Sequence, residues 1–273
     1  MGLSEIRLSV QTTLPENYSS DRDFQKGLET LQEQGFFGVE LNIAHPGEEP
    51  LERIIDHLAR YELRFTSFAS GLTAKTYGLS LSSKDEELRL RSVEKVRDII
   101  RYVEGSGMGI ILGFFKGGKV GNDALARQQF RRSLEELVPA AEEKKVPLVV
   151  EATNRYESSV ANSLQEAVGI IEAVDSSSLR ILPDTFHMNI EEKHMNEALG
   201  RAFGFYDNVH LSDNNRYFPG YGGIDFFRVL DHLGTLNYSG GFALEGNIKE
   251  SFVQDCIVSM NIIKSYLGGG SEK

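Results

Sequence analysis

The sequence predicts an α/β protein that folds as a (β/α)8 TIM barrel in a single domain over residues 1–273. Eight short strand-like runs alternate with longer segments whose apolar residues are spaced three and four apart, as amphipathic helices require. The connections are mostly short, and the first strand-helix turn lacks the glycine fingerprint of an open dinucleotide-binding sheet. A barrel of this length is commonly one domain, so nothing divides the chain.

The strand-like runs share a short β-branched or aliphatic composition, which favours buried parallel strands. In chain order they are Ile6–Thr12, Phe37–Ile43, Arg64–Ser70, Gly109–Phe115, Pro147–Ala152, Leu179–Asp184, Asn208–Ser212 and Gly241–Glu245.

The clearest predicted helix covers Asp85–Val103, where apolar residues form one stripe between Glu, Arg and Lys residues. Asp85 follows two serines and a lysine, a typical N-terminal capping cluster. Further helices are predicted over Ala124–Glu143 and Ser251–Leu267. The tail 268–273 is rich in glycine and charge, and we expect it to be frayed.

The composition excludes several classes of protein. A formal net charge of −11 argues against a surface that binds nucleic acid, which needs clustered Lys and Arg residues. The single Cys256 rules out a disulfide within the chain. No run has the length of a membrane span, and Glu5 and Arg7 interrupt the first apolar stretch, so no signal peptide is indicated. We therefore expect a cytoplasmic protein with neither a nucleic-acid nor a membrane partner.

Four metal-capable side chains stand at the downstream ends of consecutive strands. They are Glu151, Asp184, His210 and Glu245, separated by 33, 26 and 35 positions. Parallel barrels gather the C-terminal ends of their strands on one face, so these side chains are expected to surround one divalent cation. Any one of them could be an ordinary polar residue at a strand end, but four at matching positions favour a site.

Three carboxylates and one imidazole suit Mn²⁺, Mg²⁺ or Co²⁺ better than a thiolate-selective structural zinc, and Mn²⁺ is the metal we expect. Such a metal polarises a carbonyl and acidifies the neighbouring C–H group. Glu151 and Glu245 come from strands five and eight, so a substrate between them would meet a base on one side and an acid on the other. Return of the proton to the same carbon epimerises it through an enediolate, whereas return to the neighbouring carbon isomerises an aldose and a ketose. The residues alone leave both outcomes open.

Five stretches carry a resemblance to a known family. They are YGLSLSSKDEELR (77–89), EATNRYE (151–157), DTFHMNIEE (184–192), HLSDNNRYFPGYGGIDF (210–226) and ALEGN (243–247). The chain resembles the ketose 3-epimerases, which include D-tagatose and D-psicose 3-epimerases, within the xylose isomerase-like TIM-barrel superfamily. The resemblance covers most of the chain and is densest from Glu151 onward.

The resemblance implies that the four strand-end residues ligate the metal and that Glu151 and Glu245 also transfer protons. It implies that Glu157, His187 and Arg216 contact the substrate, a free keto sugar or keto-sugar acid inverted at C3 through a cis-enediolate. It further implies a homodimer or homotetramer. The family's usual Gly-His before the Asp-Phe pair is replaced by Gly223-Ile224, and Gly246-Asn247 replaces bulkier apolar residues, so the particular sugar stays open.

Other functions remain as alternatives. An aldose-ketose isomerase or a sugar-phosphate epimerase shares the superfamily, but the latter needs a phosphate subsite, and no basic or glycine-rich motif for one is present. A polyol dehydratase is a third possibility. An abasic-site endonuclease would need more histidine ligands and a basic surface, and a non-catalytic scaffold would have no use for two proton-transfer carboxylates.

Overall fold

The computed structural model describes residues 5–269 and shows a parallel eight-stranded sheet with helices around it. The strands are β1 Arg7–Thr13, β2 Gly38–Asn42, β3 Arg64–Ala69, β4 Gly109–Ile111, β5 Leu148–Glu151, β6 Leu179–Leu182, β7 Asn208–Leu211 and β8 Gly241–Leu244.

Neighbouring strands pair in chain order, and β8 returns to pair with β1. The only step in this ring without a ladder of paired residues, among the strands described, is β6 to β7. There an isolated parallel bridge joins Asp184 to His210, and the amide of His210 donates to the carbonyl of Pro183 at 2.8 Å. The ring is therefore nearly closed, which confirms the predicted (β/α)8 barrel.

The helices lie between the strands, and β3 and β6 are each followed by two of them. They are α1 Arg22–Gln34, α2 Leu51–Ala59, α3 Gly71–Tyr77, α4 Glu86–Val103, α5 Asp123–Lys144, α6 Leu164–Val174, α7 Thr185–Glu191, α8 Met195–Arg201, α9 Phe226–Thr235 and α10 Phe252–Gly269.

The predicted helices agree with the structure to within two residues at each end. The carboxylate of Asp85 accepts hydrogen bonds from the amides of Glu87 and Leu88, which confirms it as the cap of α4. Helix α10 continues through Gly268 and Gly269, the first two residues of the predicted tail. The rest of that tail, residues 270–273, lies outside the described part of the chain.

Strand β4 is shorter than the sequence predicts. The apolar run continues to Phe115, but the strand ends at Ile111, and Phe114–Lys116 forms a turn of 3₁₀ helix. Phe115 is buried in the core while Phe114 is 58% exposed, so the two rings face different environments. The chain turns at Gly113, which lies against the carboxylate of Glu151.

The alternation of side chains along each strand separates two environments. On β5, Leu148 and Val150 belong to the large core between sheet and helices, whereas Val149 packs inside the barrel with Ile111 and Leu182. Because side chains on a strand alternate with a period of two, Glu151 shares the inward face of Val149. The inward face therefore carries the site at its C-terminal end.

No helix in the region 5–269 is long and apolar enough to cross a membrane.

Candidate metal centre and active site

The structure brings the four strand-end residues together at the C-terminal mouth of the barrel. Glu151 is the last residue of β5, His210 lies within β7, and Asp184 and Glu245 follow β6 and β8. One ligand atom from each residue lies within 4.8 Å of the others, so the four could hold one metal ion. Three oxygen donors and one imidazole nitrogen form a set typical of Mn²⁺ or a similar divalent cation.

The Nδ1 atom of His210 faces the carboxylates of the other three residues. It lies 2.6 Å from Oε2 of Glu245, and 3.9 Å from both Oε1 of Glu151 and Oδ2 of Asp184. Burial alone would lower the pKa of His210, but the carboxylates of Glu40 and Glu245 outweigh it and raise that pKa well above its usual value.

Arg216 supplies a second positive charge. Its Nη1 lies 2.6 Å from Oδ2 of Asp184, and its Nη2 lies 2.9 Å from Oε1 of Glu245. The carboxylates of Glu151, Asp184 and Glu245 outnumber this one guanidinium, and a divalent cation could balance the remaining negative charge.

Glu151 has an oxygen free for a metal. Its Oε1 is buried and has no hydrogen-bond partner in the described part of the chain. Burial, and then the charge of Glu245, raise the pKa of Glu151 to about 8. A bound cation would relieve both effects. A Cβ added at Gly113 would lie 2.0 Å from Oε2 of Glu151, so this position must lack a side chain for the carboxylate to fit.

Asp184 is fixed by both carboxylate oxygens. Its Oδ1 accepts from the amides of Phe186 at 2.7 Å and His187 at 3.3 Å, which caps the start of α7. Its Oδ2 faces Arg216 and His210. One oxygen therefore holds the backbone while the other is directed into the site.

Sequence reasoning missed Glu40, which lies on the opposite side of His210. Oε2 of Glu40 is 2.9 Å from Nε2 of His210, and Oε1 of Glu40 accepts from Nδ2 of Asn208 at 2.6 Å. Glu40 is 1% exposed. The signal was a single acidic residue in the short strand β2, between Val39 and Leu41, at a position whose side chain points into the barrel.

His187 and Glu157 are held by a shared partner, Asn154. The amide of Asn154 donates to Nδ1 of His187 at 3.2 Å, and Nδ2 of Asn154 donates to Oε1 of Glu157 at 2.8 Å. Because Nδ1 of His187 is an acceptor, its proton is on Nε2, which lies 3.8 Å from Oε1 of Glu151. Burial lowers the pKa of His187, so the ring is neutral. Asn154 was part of the EATNRYE match, but the sequence assigned it no role.

The loop after β7 positions Arg216, whose backbone has a φ of 61°, in the left-handed region. The Asp213 carboxylate organises this loop by accepting from the amides of Gly220, Gly222 and Ile224. A Cβ at Gly222 would lie 2.4 Å from Oδ1 of Asp213, so the glycine permits the close approach. The amide of Asn247 also donates to the carbonyl of Arg216 at 2.6 Å. The geometry of Arg216 is thus fixed on both sides.

A second missed residue, Lys116, lies fully buried behind Glu151. Its Nζ donates to the backbone carbonyl of Glu151 at 2.7 Å and to Oγ1 of Thr153 at 2.6 Å. Burial lowers the pKa of Lys116 to about 8. In the sequence it followed the two phenylalanines of an extended apolar run, and nothing there indicated that it would fold back against β5.

Residues 28–256 match the model of the family described as xylose isomerase-like TIM barrel. The D-psicose 3-epimerase of Enterocloster bolteae is 28% identical over 234 residues, which cover 82% of this chain and 76% of that protein. The L-ribulose 3-epimerase of Mesorhizobium japonicum is 27% identical over 243 residues, covering 88% and 80%. The crystal structure of apo 3-keto-D-glucoside 4-epimerase from E. coli superposes with a TM-score of 0.81 at 23% identity, covering 96% of this chain and 99% of that one.

Proposed function

This chain belongs to the xylose isomerase-like TIM barrel family and is a sugar isomerase or epimerase, and we propose that it is a divalent-metal-dependent ketose 3-epimerase. Its substrate would be a free keto sugar or keto-sugar acid, inverted at C3. Glu151, Asp184, His210 and Glu245 would hold the metal, Mn²⁺ before Mg²⁺ or Co²⁺. Glu157, His187 and Arg216 would bind the substrate.

The observation that carries this proposal is the convergence of Glu151, Asp184, His210 and Glu245, whose ligand atoms lie within 4.8 Å of one another. A contrast between the two glutamates supports it. Burial alone would raise the pKa of Glu245, but Arg216 and His210 outweigh it and hold that pKa well below its usual value. The pKa of Glu151 is instead raised to about 8, chiefly by burial. Two carboxylates with pKa values pushed in opposite directions are typical of an acid and base pair. We propose that a substrate carbon lies between these two carboxylates, which come from the ends of strands β5 and β8.

The metal, when bound, would polarise the carbonyl of the keto sugar and so make the neighbouring C3–H more acidic. Glu245 would then remove the C3 proton of one epimer, and the resulting cis-enediolate of the sugar would receive a proton from Glu151 on the opposite face. The other epimer would react with the two roles exchanged, as reversibility requires.

The remaining residues would orient the sugar. The Nε2–H group of His187 and the guanidinium of Arg216 are donors at the edge of the site, suited to the carbonyl and hydroxyl oxygens of a substrate. Glu157 accepts from Asn154 through Oε1, which leaves its second oxygen for a sugar hydroxyl. These contacts would set which carbon lies between the two glutamates.

The wider assignment is part of the same proposal. The chain would act as one domain in the cytoplasm, as a homodimer or homotetramer, without nucleic-acid or membrane partners. Relatives named 3-epimerases along most of the chain support the choice of reaction. An aldose-ketose isomerase or a sugar-phosphate epimerase is the second candidate, since both use the same metal chemistry, and a polyol dehydratase is a weaker third.

Product analysis would test the proposal. Protein freed of metal with EDTA and reloaded with Mn²⁺ would be incubated with D-fructose, D-tagatose, L-ribulose and their phosphorylated forms. We expect C3 epimers from the free sugars and none before reloading. An aldose product would indicate the isomerase, a preference for the phosphorylated sugar would indicate the sugar-phosphate epimerase, and loss of water would indicate the dehydratase. Each of these results would contradict the proposed reaction.

A further inference from the structure

A cavity of about 610 Å³ opens beside the proposed reaction centre, between the β1–α1 segment and the β8–α10 segment. Of the proposed metal and substrate residues, only Arg216 and Glu245 line it, whereas Glu151 and His187 do not. A sugar carbon between the two glutamates would therefore lie at the inner end of this cavity. The rest of the cavity volume is available to the part of the substrate that extends beyond that carbon.

The volume exceeds the needs of a free hexulose. Clefts of about 300–1,000 Å³ hold drug-sized ligands, which are larger than a single six-carbon sugar. The cavity runs from the barrel mouth to the space between α1 and α10, where the ring of Phe252 packs against Gly27. A Cβ at Gly27 would lie 3.0 Å from this ring, so the glycine lets Phe252 close the far end.

The inner wall of the cavity is built from amides. Nδ2 of Asn42 donates to Oε1 of Gln11 at 2.8 Å, and Oδ1 of Asn42 accepts from the amide of Leu72 at 3.2 Å. The side chain of Asn247 is exposed and makes no hydrogen bond to any residue in the described part of the chain. Amides placed in this way both donate and accept, which suits sugar hydroxyls.

The outer wall combines carboxylates with aromatic rings. Asp21 and Asp23 lie at the start of α1, and Phe24 and Phe252 face the same space. Aromatic faces cover the C–H surface of a sugar ring, and carboxylates accept from its hydroxyls. Among the described residues that line the cavity, Arg216 is the only cation, and it is already paired with Asp184 and Glu245. A phosphate or carboxylate group would therefore meet negative charge without a free partner.

We infer that the substrate is a keto sugar that carries a neutral glycosyl or alkyl group on the end remote from the reacting carbon, and that this group occupies the cavity between α1 and α10. This inference rests on the proposed epimerase function, and it narrows the substrate from a free keto sugar or keto-sugar acid to a neutral keto sugar that is extended at that end.

Matched keto sugars would test the inference. Isomaltulose is D-fructose with a glucosyl group on O6, and D-fructose 6-phosphate carries an anion at the same place. The 6-O-methyl ether of D-fructose is the third probe, because it carries a neutral extension that is not a sugar. With Mn²⁺-loaded protein, we expect kcat/KM for isomaltulose or the methyl ether to equal or exceed that for D-fructose, and the phosphate to be poorer by about tenfold or more. Which of the two neutral probes reacts better identifies the kind of extension.

A pair of variants tests where the neutral extension of the substrate binds. Asn247→Trp fills the passage into the cavity without changing its backbone hydrogen bond, and Glu250→Trp adds the same bulk on the same exposed segment outside the cavity. The ratio of kcat/KM for the extended sugar to that for D-fructose should fall by about tenfold or more in the first variant and stay within about twofold in the second.

Four results would overturn the inference. If D-fructose is epimerised but both extended sugars are poorer by about tenfold, the cavity does not select them, while the proposed function stands. An unchanged ratio in Asn247→Trp would likewise reject it and leave the epimerase intact. Preference for the phosphate would reject the inference and would also contradict the proposed action on a free sugar. If no keto sugar is epimerised, the proposed function fails and the inference fails with it.

Discussion

The carboxylate of Glu40 lies 2.9 Å from Nε2 of His210, on the side of the imidazole opposite the metal-capable cluster. Both side chains are buried, and Asn208 fixes the second oxygen of Glu40. A carboxylate in this position orients the ring and makes the opposite nitrogen a better ligand. His210 is thus held by the interior of the barrel before any metal arrives.

Replacement of Glu40 by Gln should weaken metal binding by about 10- to 100-fold, because the ring loses a charged acceptor that sets its orientation. The dissociation constant for Mn²⁺ can be measured by isothermal titration calorimetry on EDTA-treated protein. Glu49→Gln, at a partly exposed position outside the site, is the control and should leave the constant unchanged. An unaltered affinity in Glu40→Gln would show that His210 needs no such support.

Replacement of Gly113 by Ala should abolish most of the activity while the fold persists. The new methyl group would lie 2.0 Å from Oε2 of Glu151, so the carboxylate must leave its position. We expect kcat to fall by about 100-fold or more with Tm changed by less than about 5 °C. Gly118→Ala is the matched control, since its Cβ would meet no atom closer than 3.7 Å. Equal activity in the two variants would contradict the geometry of Glu151.

The stability of the metal-free protein should depend on pH through Glu151. Its folded-state pKa is raised from 4.5 to about 8, so the folded protein binds this proton more tightly than the unfolded chain. The contribution to the free energy of unfolding is therefore complete below pH 4.5 and is lost as pH rises to about 8. Urea unfolding across this range should show the decline in the native sequence and a flatter profile in Glu151→Gln. Saturating Mn²⁺ should reverse the decline. Parallel profiles for the native protein and Glu151→Gln, both without metal, would show that Glu151 does not cause the dependence of stability on pH.

Replacement of Arg216 by Lys should lower kcat/KM by about 10- to 100-fold, because an ammonium cannot pair with Asp184 and Glu245 at the same time as the guanidinium does. Arg131→Lys changes an exposed ion pair with Glu135 on α5 and should have an effect of less than about twofold. Steady-state kinetics on the preferred keto sugar would measure both. Comparable kcat/KM values in both variants would show that Arg216 does not contribute to substrate binding or turnover.

The barrel and the four-residue cluster could be predicted from sequence because both follow from periodicity. Glu151, Asp184, His210 and Glu245 come at strand ends, and parallel strands bring such ends together. Glu40 and Lys116 could not be placed in the same way. Glu40 interacts with His210 across 170 positions, and Lys116 folds back on β5 after the chain turns at Gly113. These contacts depend on how side chains pack inside the barrel, and the local sequence pattern does not predict that packing.

The end of strand β4 is a further feature that the local sequence could not predict. The apolar run continues through Phe115, and composition alone favours a strand to that point. The chain leaves the sheet earlier, at Gly113, whose φ of −80° and ψ of −90° are not those of a strand. The carboxylate of Glu151, from the neighbouring strand, occupies the space where a side chain of residue 113 would lie.

The central claim is that one carboxylate removes the C3 proton and a second carboxylate delivers a different proton to the opposite face of C3, and solvent exchange tests it most directly. Mn²⁺-loaded protein would convert its preferred keto sugar in D₂O, and the position of deuterium in the product would be read by NMR and mass spectrometry. The account predicts a C3 epimer that carries one deuterium, at C3, because the carboxylate that returns the proton equilibrates with solvent. An epimer without deuterium, or an aldose with deuterium at the former carbonyl carbon, would contradict it.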